Sequence, residues 1–288
     1  MESSTKQNLH SICPLCESAD LKALWELNGY SISKCRNCSL VFVLNYVSTE
    51  ELIAHYGAMN DDSYGENNLD CLNYYYLALG SLIRQRFPGG GRILDIGCSR
   101  GWFLDTMKDW ECHGNEITET YGAAAREKFG DRIFIGPFED YPTREAFFDV
   151  ITLQDVFDHI RDPFEILKKC YTMLRPGGLI AIKVHNISCL YARLTGKRFY
   201  AVMPPSHLFY YDRSTLARTL EKSGFQVVDS RFIGHLFRIK TIFLRMSRGD
   251  FKSPHYRVYE ALKGTSVGEF RFRKNLHDII TMLAVKRA

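Results

Sequence analysis

Four cysteines near the N-terminus form two Cys-x-x-Cys pairs, Cys13 with Cys16 and Cys35 with Cys38. Thiolates bind Zn²⁺ tetrahedrally, and two pairs separated by 18 residues let two turns present all four sulfurs to one ion. A Cys-x-x-Cys can also be a redox motif, but that version normally occurs singly beside a βαβ unit. Because sulfur fills all four positions and no position is left for a reacting water, the predicted Zn²⁺ is structural.

A second group of residues predicts a nucleoside pocket. A short apolar run ends in Asp95-Ile96-Gly97-Cys98-Ser99-Arg100-Gly101, where small residues let the backbone approach a ligand. Glu116, 21 positions after Asp95, is placed to accept hydrogen bonds from both ribose hydroxyls. NAD would also use such a turn and acid, but the third glycine of the dinucleotide fingerprint is replaced by Trp102. The sequence therefore favours a nucleoside ligand without a pyrophosphate.

Two histidines are candidates for proton transfer. His159 lies in the run Leu153 to His159, directly after a predicted strand, and its ordinary pKa near 6.5 suits a general base. The alternative role for His159 is to cap this loop or to bond Asp158. His207 and Tyr210 lie in a loop before a predicted helix, and it is the family resemblance given below that implies a role for them in substrate contact or as base. His185 and Asn186 follow another strand and are placed to line the same pocket.

The elements that position these residues alternate between strand and helix from Arg92 to Val184, which predicts a parallel sheet covered by helices on both faces. Asn28-Gly29 between two short apolar runs predicts a hairpin that brings the cysteine pairs together. A helical pattern runs from roughly Ser48 to Phe87, and Ile279 to Lys286 reads as the last strand of the sheet.

The charge is unevenly distributed along the 288 residues. From Arg231 onward there are 13 Lys and Arg residues against four Asp and Glu. Residues 1–50, by contrast, contain four Lys and Arg residues and five Asp and Glu. A basic apolar helix over Arg231 to Arg248 could contact an anionic membrane, or it could pack on the core with a solvated basic edge. No run is long and apolar enough to span a bilayer and no secretory signal is present, so we expect a cytoplasmic protein.

The chain from about Arg92 to Val228 resembles the class I S-adenosylmethionine-dependent methyltransferases. The residues that match are Ile93 to Gly101, Gly114-Asn115-Glu116, Phe138-Glu139-Asp140, Phe148 to Thr152 and Leu174 to Gly178. The resemblance implies an α/β Rossmann-like fold with a mostly parallel seven-stranded sheet. It also implies that Asp95, Gly97, Ser99, Gly101 and Gln154 line the methionine end of the cofactor, that Glu116 holds the ribose, and that Phe138 and Glu139 meet the adenine.

The predicted domains are a zinc ribbon over residues 1–47, a helical linker over 48–91 and the methyltransferase domain over 92–288. That domain has an acceptor-loop insertion at about 186–212 and a basic insertion at about 235–272. The ribbon resembles a module of methyltransferases that act on sugar nucleotides and other small metabolites, although ribbons also occur on RNA methyltransferases. Sugar C-methyltransferases with such ribbons often have a further C-terminal domain, which these 288 residues are too few to contain. The expected activity is therefore O-methylation of a small metabolite, a sugar or sugar nucleotide. The alternatives are an RNA methyltransferase, with the C-terminal positive charge as its only support, and a non-catalytic cofactor-binding assembly module.

Overall fold

A computed structural model describes residues 7–8, 10–46, 69–247 and 250–287 of the chain. The first part of the helix expected from Ser48 therefore lies outside the described residues, and its second part is a helix over Leu69–Arg86.

Fifteen strands are present in the described residues. In chain order they are β1 (Gln7–Asn8), β2 (Leu21–Leu27), β3 (Tyr30–Cys35), β4 (Val41–Val43), β5 (Asn45–Tyr46), β6 (Arg92–Ile96), β7 (Glu111–Glu116), β8 (Ile133–Ile135), β9 (Phe148–Gln154), β10 (Leu174–His185), β11 (Phe209–Tyr210), β12 (Phe225–Arg231), β13 (His235–Arg238), β14 (Arg271–Lys274) and β15 (Ile279–Lys286).

The α-helices of the described residues connect these strands. They are α1 (Leu69–Arg86), α2 (Trp102–Asp105), α3 (Glu119–Phe129), α4 (Pro163–Met173), α5 (Leu190–Thr195), α6 (Arg213–Lys222), α7 (Ile239–Ser247), α8 (Pro254–Leu262) and α9 (Ser266–Glu269). Local signals explain two of the starts: Asp162 caps α4 just before Pro163, and Asp212 forms a capping box with Thr215 at α6.

The central sheet has seven strands in the order β12-β15-β10-β9-β6-β7-β8. The five strands β10, β9, β6, β7 and β8 are parallel to one another. Strand β15 lies between β10 and β12 and is antiparallel to both. The predicted Rossmann-like, mostly parallel seven-stranded sheet is thus confirmed, including the last strand over Ile279–Lys286. Because β6, β7, β9 and β10 are parallel, the residues that follow them meet at one edge of the sheet.

The predicted hairpin of the N-terminal region is also present. Strands β2 and β3 pair around Asn28 and Gly29, which both have positive φ angles of 54° and 74°. The sheet continues through β4 to β11, so its order is β11-β4-β3-β2. Strand β11 comes from the predicted insertion at 186–212, and residues of both regions share one buried core with one face of the central sheet. The predicted domain boundaries themselves remain a prediction.

The basic segment after Arg231 differs from its predicted single helix. Only its second half is helical, as α7, while His235–Arg238 forms β13 and pairs with β14. A pairing partner more than 30 residues away cannot be read from local periodicity. The side chain of Arg238 pairs with Asp70 at 2.7 Å and with Glu269 at 3.1 Å, and Lys240 also pairs with Glu269. Within the described part of the chain, no helix has the length and apolar character needed to cross a membrane.

Candidate functional site

The side chain of Asp95 lies at the C-terminal end of β6 and is almost fully buried. Residues Asp95 and Thr152 are partners in the β6–β9 register, and the Thr152 hydroxyl donates a hydrogen bond of 2.6 Å to Asp95 Oδ1. The amide of Gln154 donates to the same oxygen at 3.3 Å. Burial raises the pKa of Asp95 to about 7, although both hydrogen bonds favour the ionised form. A cationic ligand would favour that ionised form further.

The turn after β6 leaves no room for a side chain at Gly97. This residue has a φ of 72°, and a Cβ atom would lie 2.3 Å from Cγ2 of Val156, in the loop after β9. Ser99 also adopts a positive φ, 49°, which is uncommon for a residue with a side chain. Gly101, the residue directly before α2, adopts the left-handed conformation. The loops after β6 and β9 therefore pack directly against each other.

The carboxylate of Glu116, at the end of β7, joins two loops. Its Oε2 accepts a hydrogen bond of 2.8 Å from the backbone N–H of Ser99, and its Oε1 accepts bonds from the N–H and hydroxyl of Thr118. Because a carboxylate has about four lone-pair sites and Oε1 already accepts two hydrogen bonds, the remaining acceptor capacity lies on Oε2. The structure thus brings together Asp95, Gly97, Ser99, Gly101, Glu116 and Gln154, which we call the cofactor cradle.

The segment Phe138–Asp140 forms a 3-10 turn beyond β8. Phe138 is buried, whereas the side chain of Glu139 is exposed. Lys169 donates hydrogen bonds to the backbone carbonyls of Phe138 and Glu139 at 2.9 and 2.7 Å, and its ammonium lies 5.0 Å from the Phe138 ring centroid. Helix α4 therefore holds this turn in place.

Beyond β9 and β10, three histidines surround one buried carboxylate, and we call this group the histidine cluster. Asp158 Oδ2 lies 3.0 Å from His185 Nδ1 and 4.0 Å from His207 Nδ1, while Asp158 Oδ1 lies 3.6 Å from His159 Nε2. The ring centroids of His159 and His207 are 4.4 Å apart, and those of His185 and His207 are 5.0 Å apart. The structure thus brings His159 and His207 together, as a shared pocket requires.

The cluster holds its members in different protonation states. Burial alone would raise the pKa of Asp158, but His207, His159 and His185 together keep it well below its usual range. Burial and the neighbouring His159 lower the pKa of His207 to about 3, and burial also lowers that of His159. For His185, the hydrogen bond from its ring to Asp158 outweighs burial and raises the pKa. At neutral pH Asp158 is therefore a carboxylate and the His207 ring is neutral.

The segment from Phe199 to Tyr211 attaches His207 to the loop after β9. The N–H groups of Leu208 and Phe209 donate to the carbonyl of Asp158 at 2.8 and 3.1 Å. His207 Nδ1 lies 2.7 Å from the carbonyl of Ala201, which identifies Nδ1 as the protonated nitrogen of the neutral ring. Tyr210 is buried in β11, and its hydroxyl donates to the carbonyl of His207 at 3.0 Å. The Tyr210 hydroxyl is thus directed at the backbone that positions His207.

The four N-terminal cysteines form a compact sulfur cluster. The Sγ atoms of Cys13 and Cys38 are 3.4 Å apart, and those of Cys16 and Cys35 are 3.5 Å apart. A disulfide needs about 2.05 Å, whereas sulfurs bound to one tetrahedral Zn²⁺ lie roughly 3.8 Å apart. The N–H of Cys38 donates to Cys35 Sγ at 3.4 Å. Burial raises the pKa of Cys13 to about 11, so a cation is needed to favour its thiolate. The donor set and its spacing fit Zn²⁺.

Sequence reasoning gave two residues of this site too little weight. Asp158 was considered only as a partner of His159, yet it lies at the centre of the cluster. Thr152 was not singled out, although its hydroxyl fixes Asp95. The spacing Asp155-x-x-Asp158-His159 directly after a strand was the available signal for Asp158; the role of Thr152 required the strand register.

A family model described as a methyltransferase domain matches residues 72–230 of this chain. Among curated relatives, a ubiquinone biosynthesis O-methyltransferase of Burkholderia pseudomallei is 26% identical over 160 residues, which covers 51% of this chain and 69% of the relative.

Solved structures of similar fold include two methyltransferases. One is a SAM-dependent methyltransferase from Thermotoga maritima, with a TM-score of 0.53 and 19% identity, covering 82% of this chain and all of the other. The second is the 1,6-didemethyltoxoflavin-N1-methyltransferase of Burkholderia thailandensis, solved with its substrate and S-adenosylhomocysteine. Its TM-score is 0.53 at 17% identity, and the match covers 93% of this chain and all of the other. At these identities the likeness concerns the fold.

Proposed function

The chain belongs to the methyltransferase domain family and is an S-adenosylmethionine-dependent methyltransferase, and on this premise we propose that it methylates a hydroxyl oxygen of a small-molecule acceptor. A sugar or sugar nucleotide is the acceptor class we propose. The observation that supports this function is that the cofactor cradle and the histidine cluster follow adjacent strands and face the same edge of the sheet. A methyl donor held by one group is then next to proton-accepting side chains of the other.

The cradle residues have complementary proposed roles. Asp95, Gly97, Ser99 and Gly101 hold the methionine end, where the buried Asp95 carboxylate offsets the positive charge of the donor. Glu116 accepts a hydrogen bond from the ribose hydroxyls, and its carboxylate is already held in position by Ser99 and Thr118. Its preorganisation reduces the entropy lost when the nucleoside binds.

The remaining cofactor contacts come from the neighbouring loops. We propose that Phe138 and Glu139 flank the adenine, supported by the anchoring of their backbone to Lys169. Gln154 bonds Asp95 through its amide nitrogen, while its buried Oε1 accepts no hydrogen bond from the residues that the structure describes. That oxygen is available to a donor group of the bound cofactor.

Methyl transfer from a sulfonium is an in-line displacement. The acceptor oxygen forms a bond to the methyl carbon, the carbon–sulfur bond breaks, and its electron pair remains on sulfur as S-adenosylhomocysteine. The hydroxyl proton must leave before or during this step. We place its removal at the histidine cluster, where His159 and His207 contact the hydroxyl region and Tyr210 acts as a positioning residue for His207.

Charge distribution supports a small acceptor over RNA. The N-terminal 50 residues have nearly balanced charge, and two cations of the basic C-terminal region are paired with Asp70 and Glu269. An RNA enzyme would present a continuous basic surface, and its RNA affinity would fall steeply with salt.

For the ribbon we propose one structural Zn²⁺ bound by Cys13, Cys16, Cys35 and Cys38. Its function is to hold the β2–β4 sheet, which pairs through β4 with β11 and so supports the segment that contains His207. Metal analysis of protein purified without chelators should give about one zinc per chain on this site, and a Cys35→Ser variant should lose it.

The proposed function is tested first by calorimetric titration with S-adenosylmethionine and, separately, with NAD. We expect micromolar affinity for the sulfonium only, and roughly a 10- to 100-fold loss in Glu116→Ala, because a nucleoside hydrogen bond to a charged acceptor is removed. Glu119→Ala, which removes an exposed carboxylate from α3, is the matched control and should bind as the parent.

Acceptors are then screened by mass spectrometry for a mass gain of one methyl group on sugar nucleotides, simple phenols and RNA. Methylation of a sugar nucleotide supports the proposed acceptor class, whereas methylation of RNA alone would replace it. Tight cofactor binding with no product on any acceptor would favour the assembly-module alternative.

A further inference from the structure

The histidine cluster has the composition of a metal site as well as of a proton-transfer site. Among the described residues, Asp158, His159 and His207 form a group that offers one ligand atom each, with all three atoms within 4.8 Å of one another. Two imidazoles and a carboxylate are the donor set of many mononuclear sites for divalent transition metals. In such a site, neighbouring ligand atoms lie roughly 3–3.4 Å apart. The 3.6 Å between Asp158 Oδ1 and His159 Nε2 is close to this spacing.

An unsatisfied carboxylate oxygen points to a missing partner. Asp158 is 1% exposed, and its Oδ1 accepts no hydrogen bond from any described residue. A buried anionic oxygen without a hydrogen bond is costly, because its hydration is lost and not replaced. The other oxygen, Oδ2, is bonded to His185, so Oδ1 is the one directed at His159. A bound cation would satisfy Oδ1 directly.

The surrounding hydrogen bonds have the arrangement that supports metal ligands. Metal-binding histidines commonly donate their second ring N–H to a carbonyl or carboxylate, which fixes the ring and its tautomer. His207 does so through Nδ1 to Ala201, which leaves the lone pair of Nε2 for a ligand role. His185 in turn fixes the orientation of the Asp158 carboxylate at 3.0 Å. His159 is the most exposed of the three proposed ligands, with 23% of its side chain accessible against 7% for His207 and 2% for Asp158.

We propose that Asp158 Oδ1, His159 Nε2 and His207 Nε2 bind one divalent first-row transition metal ion, which binds the acceptor hydroxyl. This inference rests on the proposed function for the identity of the acceptor, but the metal site itself does not. The metal would lower the pKa of the bound hydroxyl so that its proton passes to solvent, and with metal bound His159 and His207 would act as ligands in place of the base role given to them above. The resulting metal-bound oxygen then attacks the methyl carbon, and the sulfonium sulfur takes the electron pair of the broken bond.

The test uses Mn²⁺ and the full-length protein. Mn²⁺ prefers oxygen and nitrogen ligands over thiolates, so it reports on the cluster and not on the four-cysteine site. Titration followed by the electron paramagnetic resonance signal of free Mn²⁺ should give one site per chain. Absence of saturable Mn²⁺ binding by the parent protein would overturn the proposal without any variant being needed.

Variants locate the site. Asp158→Asn and His159→Ala should each weaken Mn²⁺ binding by roughly tenfold or more, since a direct ligand is removed. His255→Ala, which removes a partly exposed histidine from α8, should bind Mn²⁺ as the parent does. Equal Mn²⁺ affinity in the parent and in both ligand variants would place the ion elsewhere and contradict the proposal.

Calorimetry with S-adenosylmethionine on the same samples separates this inference from the proposed function. Cofactor affinity depends on the cradle, so it should be unchanged in His159→Ala, and this also verifies folding. If the parent binds cofactor and methylates an acceptor with no Mn²⁺ site, the function stands and the metal proposal fails. If Mn²⁺ binds as expected but the cofactor does not, the proposed function fails and the metal site remains.

Discussion

The cofactor cradle and the histidine cluster lie at the same edge of one sheet, but they are assembled differently. The principal groups of the cradle come from two consecutive strand–turn–helix units, between Asp95 and Glu116. Strand β9 contributes Gln154 and also Thr152, whose hydroxyl bonds Asp95. The cluster combines residues after β9, at the end of β10 and in the segment before β11, and β11 is itself held by β4 of the ribbon. Cofactor binding therefore depends on local structure, whereas acceptor chemistry depends on distant parts of the chain. Four changes test this difference.

Phe42→Ala removes a fully buried side chain that stacks on Phe209 between the ribbon and β11. We expect a loss of about 4 kcal/mol in unfolding free energy, from lost burial and the cavity left behind. At temperatures where the variant is folded, kcat should fall while the cofactor Kd is unchanged. Phe225→Ala, equally buried at the start of β12, should lose similar stability without the fall in kcat. Equal kcat in both variants would show that the ribbon does not support the cluster.

Asp158→Asn keeps the shape of the side chain but removes the charge at the centre of the cluster. We expect kcat to fall about a hundredfold, because proton removal from the acceptor loses its organising group. The cofactor Kd should be that of the parent, and Asp131→Asn, at an exposed carboxylate, should have parental kcat. A large rise in the cofactor Kd would contradict the separation of the two groups.

Asp95→Asn tests the electrostatics of the cradle. The pKa of Asp95 is about 7 in the folded protein against an ordinary value of 3.8, so the folded state binds its proton more tightly. Its contribution therefore destabilises the fold increasingly as pH rises from about 4 to 7. Between pH 5 and pH 8 the cofactor-free parent should lose roughly 2–3 kcal/mol more stability than Asp95→Asn does. Parallel pH profiles of unfolding for the two proteins would refute the raised pKa.

Gly97→Ala tests the contact between the cradle and the loop after β9. The new Cβ would lie 2.3 Å from Val156 Cγ2, and we expect a loss of about 2 kcal/mol together with weaker cofactor binding. Gly177→Ala has the same backbone penalty, with a φ of 73° against 72°, but no atom of the described residues lies within 4 Å of the added Cβ. If the two variants have equal melting temperatures, backbone strain alone explains the cost.

Local patterns predicted much of this fold. The alternation of apolar runs and helical stretches was sufficient for the strands from β6 to β10, and Asn28-Gly29 for the ribbon hairpin, because turn chemistry and periodicity act over a few residues. The segment after Arg231 was misassigned in its first half because β13 is stabilised by a strand far along the chain. A short amphipathic run is compatible with either helix or strand, and the pairing partner decides between them.

The same distinction holds for the candidate site. Amino-acid type and spacing were enough to predict site roles for the four cysteines, the Asp95 turn, Glu116 and His159, since each belongs to a contiguous motif, and these roles remain predictions. The convergence of His159, His185 and His207 on Asp158 became visible only in the folded chain. That arrangement depends on the β9–β10 register and on the pairing of β11 with the ribbon, which are set by packing among residues distant in sequence.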